Sequence, residues 1–168
     1  MKLSVLNRKL HRWGAVLVAV PFLVVVVTGI LLQVKKQAAW VQPPTQKRES
    51  REPAVSFDAL LAAVKAVPEA EVKSWKDVDR VDVRPKDGVA KVACVNRYEV
   101  QVDFRTGEVV QAAYRRSDLI ESLHDGSWFH DAVKLWVFLP AAVVVLGLWV
   151  TGLYLFALPL WVKWRRRK

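Results

Sequence analysis

Trp13–Val34, WGAVLVAVPFLVVVVTGILLQV, runs for 22 residues without a charge. A second stretch, Leu135–Val162, LWVFLPAAVVVLGLWVTGLYLFALPLWV, runs for 28. As helices at about 1.5 Å per residue they reach about 33 Å and about 42 Å, against a hydrocarbon core of about 30 Å. The first can cross a bilayer upright. The second must tilt, kink or protrude. Pro21 predicts a kink in the first, and Pro140 and Pro159 bracket a core span of about 137–158 in the second.

Charge is distributed around these two stretches. All 16 acidic residues lie between Glu49 and Asp131. Of the net charge of +10, residues 1–34 carry +4, residues 135–168 carry +5 and the middle carries +1. Basic charge therefore flanks the apolar runs, as membrane topology demands, and nucleic-acid binding is not expected. Arg165-Arg166-Arg167-Lys168 suits anionic lipid head groups. A cleaved leader is not expected: the apolar stretch is too long, and Val34-Lys35-Lys36-Gln37 lacks small cleavage-site residues. A disulfide scaffold is excluded by the single cysteine. The expected organisation is a basic cytoplasmic start (1–12), helix 13–34, a linker or arm (35–55), a folded domain (56–116), a juxtamembrane helix or loop (117–133), helix 134–160 and a basic cytoplasmic tail (161–168). The expected location is a bacterial inner membrane, with both termini cytoplasmic and residues 35–133 extracytoplasmic.

Aromatic residues fit those boundaries. Trp13, Trp161 and Trp164 mark one interface, and Trp40, Trp128, Phe129 and Trp136 the other. The spans share a pattern: Val27-Thr28-Gly29 in the first and Val150-Thr151-Gly152 in the second. Small residues let helices approach closely, so Thr28, Gly29, Gly147, Thr151 and Gly152 are expected to pack the hairpin, with a homo-oligomer contact as the alternative.

Between the spans the pattern is α+β. Gln33–Pro53 is polar with Pro43-Pro44 and reads as an arm or linker. Ser56 is placed to cap a helix whose stripe is Leu60, Leu61, Val64 and Val67, ending at Pro68. Four β segments follow at Val78–Arg84, Val89–Val95, Tyr98–Arg105 and Glu108–Tyr114. In the third, Val100, Val102 and Phe104 alternate with Glu99, Gln101, Asp103 and Arg105, which predicts a strand with one face in water. Asp103 and Thr106 are placed to bond the next turn, and Gly107 to supply its positive φ. Ser117 is then expected to cap a short helix. The fold class is a membrane protein: an antiparallel two-helix hairpin carrying a small helix-on-sheet domain.

Tyr98-Glu-Val-Gln-Val-Asp103-Phe-Arg-Thr106-Gly107-Glu108-Val109 resembles the signature strand–turn–strand of PepSY domains, and Phe57–Val64 resembles their first helix. Leu10-His11-Arg12-Trp13-Gly14 and Leu123-His124-Asp125-Gly126 resemble segments that open spans in PepSY-associated transmembrane proteins. The resemblance implies one of two roles. Some PepSY domains are linked to inhibition of secreted peptidases. Larger PepSY-associated membrane proteins include haem-bearing reductases of iron–siderophore uptake. This chain departs from the latter in having two spans and three histidines.

Histidine decides between them, because a six-coordinate b-type haem uses axial imidazoles. His11 falls at one membrane boundary, and His124 and His130 at the other. One hairpin therefore cannot clamp one haem between His11 and His124. If Gly126 breaks the helix, His124 and His130 can face one another, or pair with a second protomer. The structural alternative is that His124 caps a helix, His130 sits wet at the interface, and His11 caps a helix or meets head groups. His124, Asp125, His130 and Asp131 could supply some of the three or four ligands a metal needs, but there is no Cys/His zinc spacing and no His-Glu-x-x-His, and no metal is expected. Cys94 reads as a small core residue. No catalytic constellation emerges. The leading expectation is a non-enzymatic, cofactor-free binding or regulatory module: an accessory subunit of a membrane or envelope complex, or a peptidase modulator, with the sheet edge and the Trp40–Gln46 arm as partner surfaces. The alternative is a haem b electron-transfer protein ligated by His11, His124 or His130.

Overall fold

The computed structural model describes residues 3–49, 52 and 54–165, in two compact units. One comprises the stretches up to Ile30 and from Glu121 onward; the other is Leu31–Ile120.

In the first unit, α1 (Leu3–Gln33) continues through Pro21. The second long helix is assembled from a single turn α4 (Asp131–Val133), a π-helical turn over Lys134–Phe138, and α5 (Leu139–Arg165). The wide turn has a local cause. Pro140 has no N–H to give and its ring crowds the preceding turn. The ladder widens just before it, and Leu139 N–H reaches back five residues to Lys134 O. α1 and α5 run antiparallel. Leu6 and Leu10 line one cavity with Val150 and Tyr154. Gly14 sits against Leu148 and Val144. Pro21 and Val25 line another cavity with Phe138 and Val145. The apolar stretches cover Val5–Gln33 and Asp131–Arg165, 29 and 35 residues. Leu17, Val20, Trp136 and Phe156 are 71–79% exposed. Helices this long, with apolar side chains facing outward, need lipid around them. This is a membrane protein.

The second unit is a four-stranded antiparallel sheet in the order β1 (Val78–Arg84), β2 (Val89–Cys94), β3 (Tyr98–Asp103), β4 (Val109–Tyr114). One face is covered by α2 (Phe57–Lys65), whose first turn is closed by Ser56 Oγ accepting from Ala59 N at 3.2 Å. Leu60 and Val64 meet Val92, Val100, Val102 and Phe104 in the core. Cys94 joins them. Burial, with the nearby Asp77 charge, pushes its thiol up to about 11, so it behaves as a small apolar residue. The turn after β3 is built by Asp103: its Oδ1 accepts from Arg105 N at 2.8 Å and Thr106 N at 3.1 Å. Gly107 N donates to Asp103 O, and Gly107 takes φ +76.

The other sheet face corrects the expectation of a half-solvated strand. Lys91, Glu99, Gln101 and Asp103 are all buried. The arm expected to be free covers them. Gln101 Nε2 donates to Pro44 O at 2.9 Å, and Gln101 Oε1 accepts from Gln46 N at 2.8 Å. Glu99 closes the charges: Oε1 takes Lys91 Nζ at 3.0 Å and Gln101 Nε2 at 2.9 Å, and Oε2 takes Arg115 Nη1 at 2.9 Å. Polar side chains can occupy a dry face because each meets a partner. Ser117 is also corrected. The last helix before the second span, α3 (Arg116–Asp125), starts one residue earlier, and Ser117 N instead donates to Val41 O at 2.8 Å.

Two outcomes follow. Glu99→Ala leaves buried Lys91 without its carboxylate and takes one of the two carboxylates from Arg115, which keeps Asp118; breaking a buried pair costs about 3–5 kcal/mol. Urea unfolding of the detergent-solubilised protein, read by tryptophan fluorescence, will show that loss, while exposed Arg105→Ala stays within about 0.5 kcal/mol. Asp103 has its carboxyl held below the usual range, first by the Thr106 N–H and then by the Arg105 N–H and Arg48, against a cost of burial. Its stabilisation is therefore complete above the ordinary carboxylate value of about 3.9 and is lost as the pH falls through the lower folded value. Asp103→Asn removes that acid-dependent part.

Candidate functional site

The membrane-helix unit holds two histidines on polar partners. His11 Nδ1 lies 2.9 Å from Thr151 Oγ1. His124 Nδ1 lies 2.9 Å from Thr28 Oγ1. Each ring also sits over the glycine next to its threonine. A Cβ on Gly152 would be 3.4 Å from His11 Cε1, and one on Gly29 would be 3.4 Å from His124 Cε1. The two Val-Thr-Gly segments are therefore notches, each receiving the histidine of a Leu-His pair on the opposite strand of the hairpin. Gly147 has no such role, since a Cβ there would meet nothing within 4 Å.

Thr28 decides where the imidazole proton lies. Its hydroxyl is 2.6 Å from Val24 O, a separation that requires the hydroxyl proton between the two oxygens. Thr28 Oγ1 then accepts from His124, so Nδ1 carries the ring hydrogen. Thr151 has the same two neighbours, Leu148 O at 3.1 Å and His11 Nδ1 at 2.9 Å, and a proton given to Leu148 O makes it the acceptor from His11. With Nδ1 turned to threonine, Nε2 is the nitrogen left to face another partner. That is the arrangement a metal-ligating histidine adopts, with the other nitrogen tied to a second partner. The seventeen residues from His11 to Thr28 on α1 place the two rings about 25 Å apart along the helix.

The segment after His124 is shaped by Gly126. Its φ of +81 ends α3, and a Cβ there would fall 2.4 Å from the Phe138 ring. No other residue fits that turn. Asp125 follows the same turn: burial alone would raise its carboxyl, but hydrogen bonds from Lys134 Nζ and from Ser127 hold it at about 2. His130 goes elsewhere. It is exposed, and its Nδ1 accepts from Ala132 N at 3.1 Å to cap α4. Its ring therefore carries the hydrogen on Nε2, the opposite tautomer. Gly126 breaks the helix as expected, yet His124 and His130 have different partners. Among the described residues no three His, Cys, Asp or Glu side chains gather to hold a metal ion.

Asn7 was not legible as a site residue. Its Nδ2 is buried without a hydrogen-bond partner, and it lines a cavity of about 360 Å³ with Leu6, Leu10, Val150, Thr151 and Tyr154. An orphaned buried amide donor costs about 1–3 kcal/mol. It lies on the cavity wall next to Thr151, the His11 partner.

The donor chemistry fits a haem iron in part. At each end of the hairpin one imidazole is held by a threonine through Nδ1, with Nε2 turned away from that contact. A bis-imidazole site at either end needs one further ligand. His130 does not supply it in this tautomer.

Removing either hydroxyl tests the notches. Thr28→Val and Thr151→Val keep side-chain volume and strip the acceptor. Each should weaken the hairpin by about 0.6–1.7 kcal/mol, the range for hydrogen bonds between membrane helices. In a double-mutant cycle with His124→Ala or His11→Ala, read by unfolding in mixed micelles, the energies should be non-additive within each pair and additive across pairs.

No curated protein and no solved structure matches the chain. The family described as the PepSY-associated TM region matches residues 8–168, which takes in both long helices and the α+β domain between them. This chain belongs to the PepSY-associated transmembrane family.

Proposed function

We propose that this protein is a haem-binding electron-transfer component of a bacterial inner membrane, with its termini cytoplasmic and the α+β domain outside. The observation that supports it best is the seating of His11 and His124 through Nδ1 against Thr151 and Thr28, each at 2.9 Å. His11 lies on the first membrane helix and His124 on α3 beside it, and each is held through Nδ1 by a threonine, which would leave Nε2 to face a ligand. Bound haem would supply one-electron transfer. The protein's own residues do the rest. Thr28 and Thr151 hold the Nδ1 proton and set the ring plane. Gly29 and Gly152 let the rings seat against the opposite helix. The surrounding apolar side chains exclude water. Each end presents one imidazole, so His11 and His124 would each hold haem together with a further ligand supplied by a second copy of the chain.

A second reading, a protein-binding accessory module, is favoured by a different feature. Phe57 and Trp75 stack edge-to-face at 6.1 Å on the α+β domain and remain exposed. Exposed aromatic pairs of this kind are common anchors for protein partners.

The two are separated by an absorption spectrum of the protein made with haem available, oxidised and then dithionite-reduced. The haem reading expects a Soret band and a reduced α band. It expects that His11→Ala and His124→Ala each lose haem, while His130→Ala retains it. Thr28→Val, which keeps the ligand and loses its support, should weaken haem binding by about 10–100-fold. A blank wild-type spectrum, or full occupancy in both His11→Ala and His124→Ala, leaves the binding-module reading.

A further inference from the structure

The α+β unit contains a groove unrelated to the histidines. It is a cavity of about 630 Å³ between the arm and the sheet. Its charged wall residues are Lys35, Lys36, Lys47, Arg84 and Arg115 against a single acid, Asp87. Two features keep these walls in place. The fully buried Gln101 amide grips the arm at Pro44 and Gln46. Arg48 N donates to Asp87 O at 2.8 Å, pinning the arm to the β1–β2 turn. The groove is therefore preformed, and its size is that of a small-molecule site.

The charge is only partly answered from within. Arg84 is paired with Asp82 at 2.7 Å. Arg115 gives Nη1 to Glu99 and Nε to Ser117 and Asp118. Lys36 and Lys47 have no carboxylate partner among the described residues. Gln42 also lines the groove, and its Oε1 is buried without a donor. Cationic side chains fixed around a concave surface, beside an unmet acceptor, suit an anion that also carries a hydroxyl.

We propose that this groove binds a phosphate-bearing organic anion, with Lys36 and Lys47 as its principal charge contacts and a ligand hydroxyl donating to Gln42 Oε1. The chemistry is shared by two sources. Lys35 and Lys36 follow α1 within three residues of its last residue, Gln33, where an anionic lipid head group would lie. A soluble organic phosphate would approach from the aqueous side.

The test uses the full-length protein in phosphatidylcholine nanodiscs and isothermal titration calorimetry. Glycerol 3-phosphate and dihexanoyl phosphatidylglycerol are the two probes. At least one should bind saturably and more weakly as salt is raised. The double variant K36E/K47E should lose about tenfold or more in affinity, equivalent to about 1.4 kcal/mol. Both lysines are exposed or near the surface without carboxylate partners, so melting of the variant should match that of the parent. Exposed Arg105→Glu, which does not line the groove, should bind as the parent does. Tighter binding of the lipid probe assigns a head-group site, and tighter binding of glycerol 3-phosphate assigns a soluble organic phosphate. No saturable binding of either probe overturns the proposal. So does unchanged binding by K36E/K47E, or an equal loss in Arg105→Glu.

Discussion

An imidazole packed against a membrane helix must find a polar partner there, because lipid offers none. The notch meets that need with a threonine hydroxyl whose own proton is already committed to a helix carbonyl. The acceptor is thereby oriented, and the ring is left with one proton position. The glycine beside each threonine removes the side chain that would keep the ring out. The pairing of α1 with α5 follows from where these contacts fall. His11 meets Thr151 near the terminal end of the hairpin, and Thr28 meets His124 near the end that leads to the α+β domain. The first contact ties α1 to α5 directly, and the second ties α3, which precedes α5 across the Gly126 turn, to the far end of α1. The Gly14 contact with Leu148 falls between them.

Much of this is written in the sequence, though in pieces. The two charge-free runs, the four strands, the Ser56 cap and the Asp103–Gly107 turn are local signals, and local periodicity and turn chemistry are enough to read them. The repeated Val-Thr-Gly and Leu-His pairs are visible as well. Their mutual relation is not, because the partners lie 96 and 140 residues apart. Small residues in a span suggest helix against helix, and nothing in the local sequence says that the neighbour is an imidazole. His130 looks equivalent to His124 by type and neighbourhood. It is separated from it by the Gly126 turn, which leaves it capping α4.

The sheet shows a second limit. Alternation in β3 predicts that Glu99 and Gln101 face away from the apolar core, and they do. Whether that face meets water depends on a segment more than fifty residues upstream. The arm through Pro44 and Gln46 closes over Gln101, and the carboxylate of Glu99 gathers Lys91 and Arg115. A polar strand face thus becomes a second, hydrogen-bonded core layer. This lets about 60 residues of helix and strand support more structure than their small apolar core would alone. The same closure creates the basic groove, since the arm brings Lys47 and Lys36 to the side of the sheet that carries Arg115.

The central claim is that His11 and His124 share one tautomer and His130 holds the other. Nitrogen-15 NMR of the cofactor-free protein, histidine-labelled and reconstituted in bilayers, reads this directly through the protonation state of each ring nitrogen. The account predicts a protonated Nδ1 and a bare Nε2 at His11 and His124, and the reverse at His130. A hydrogen on Nε2 at His11 or His124, with Nδ1 accepting from threonine, would contradict it.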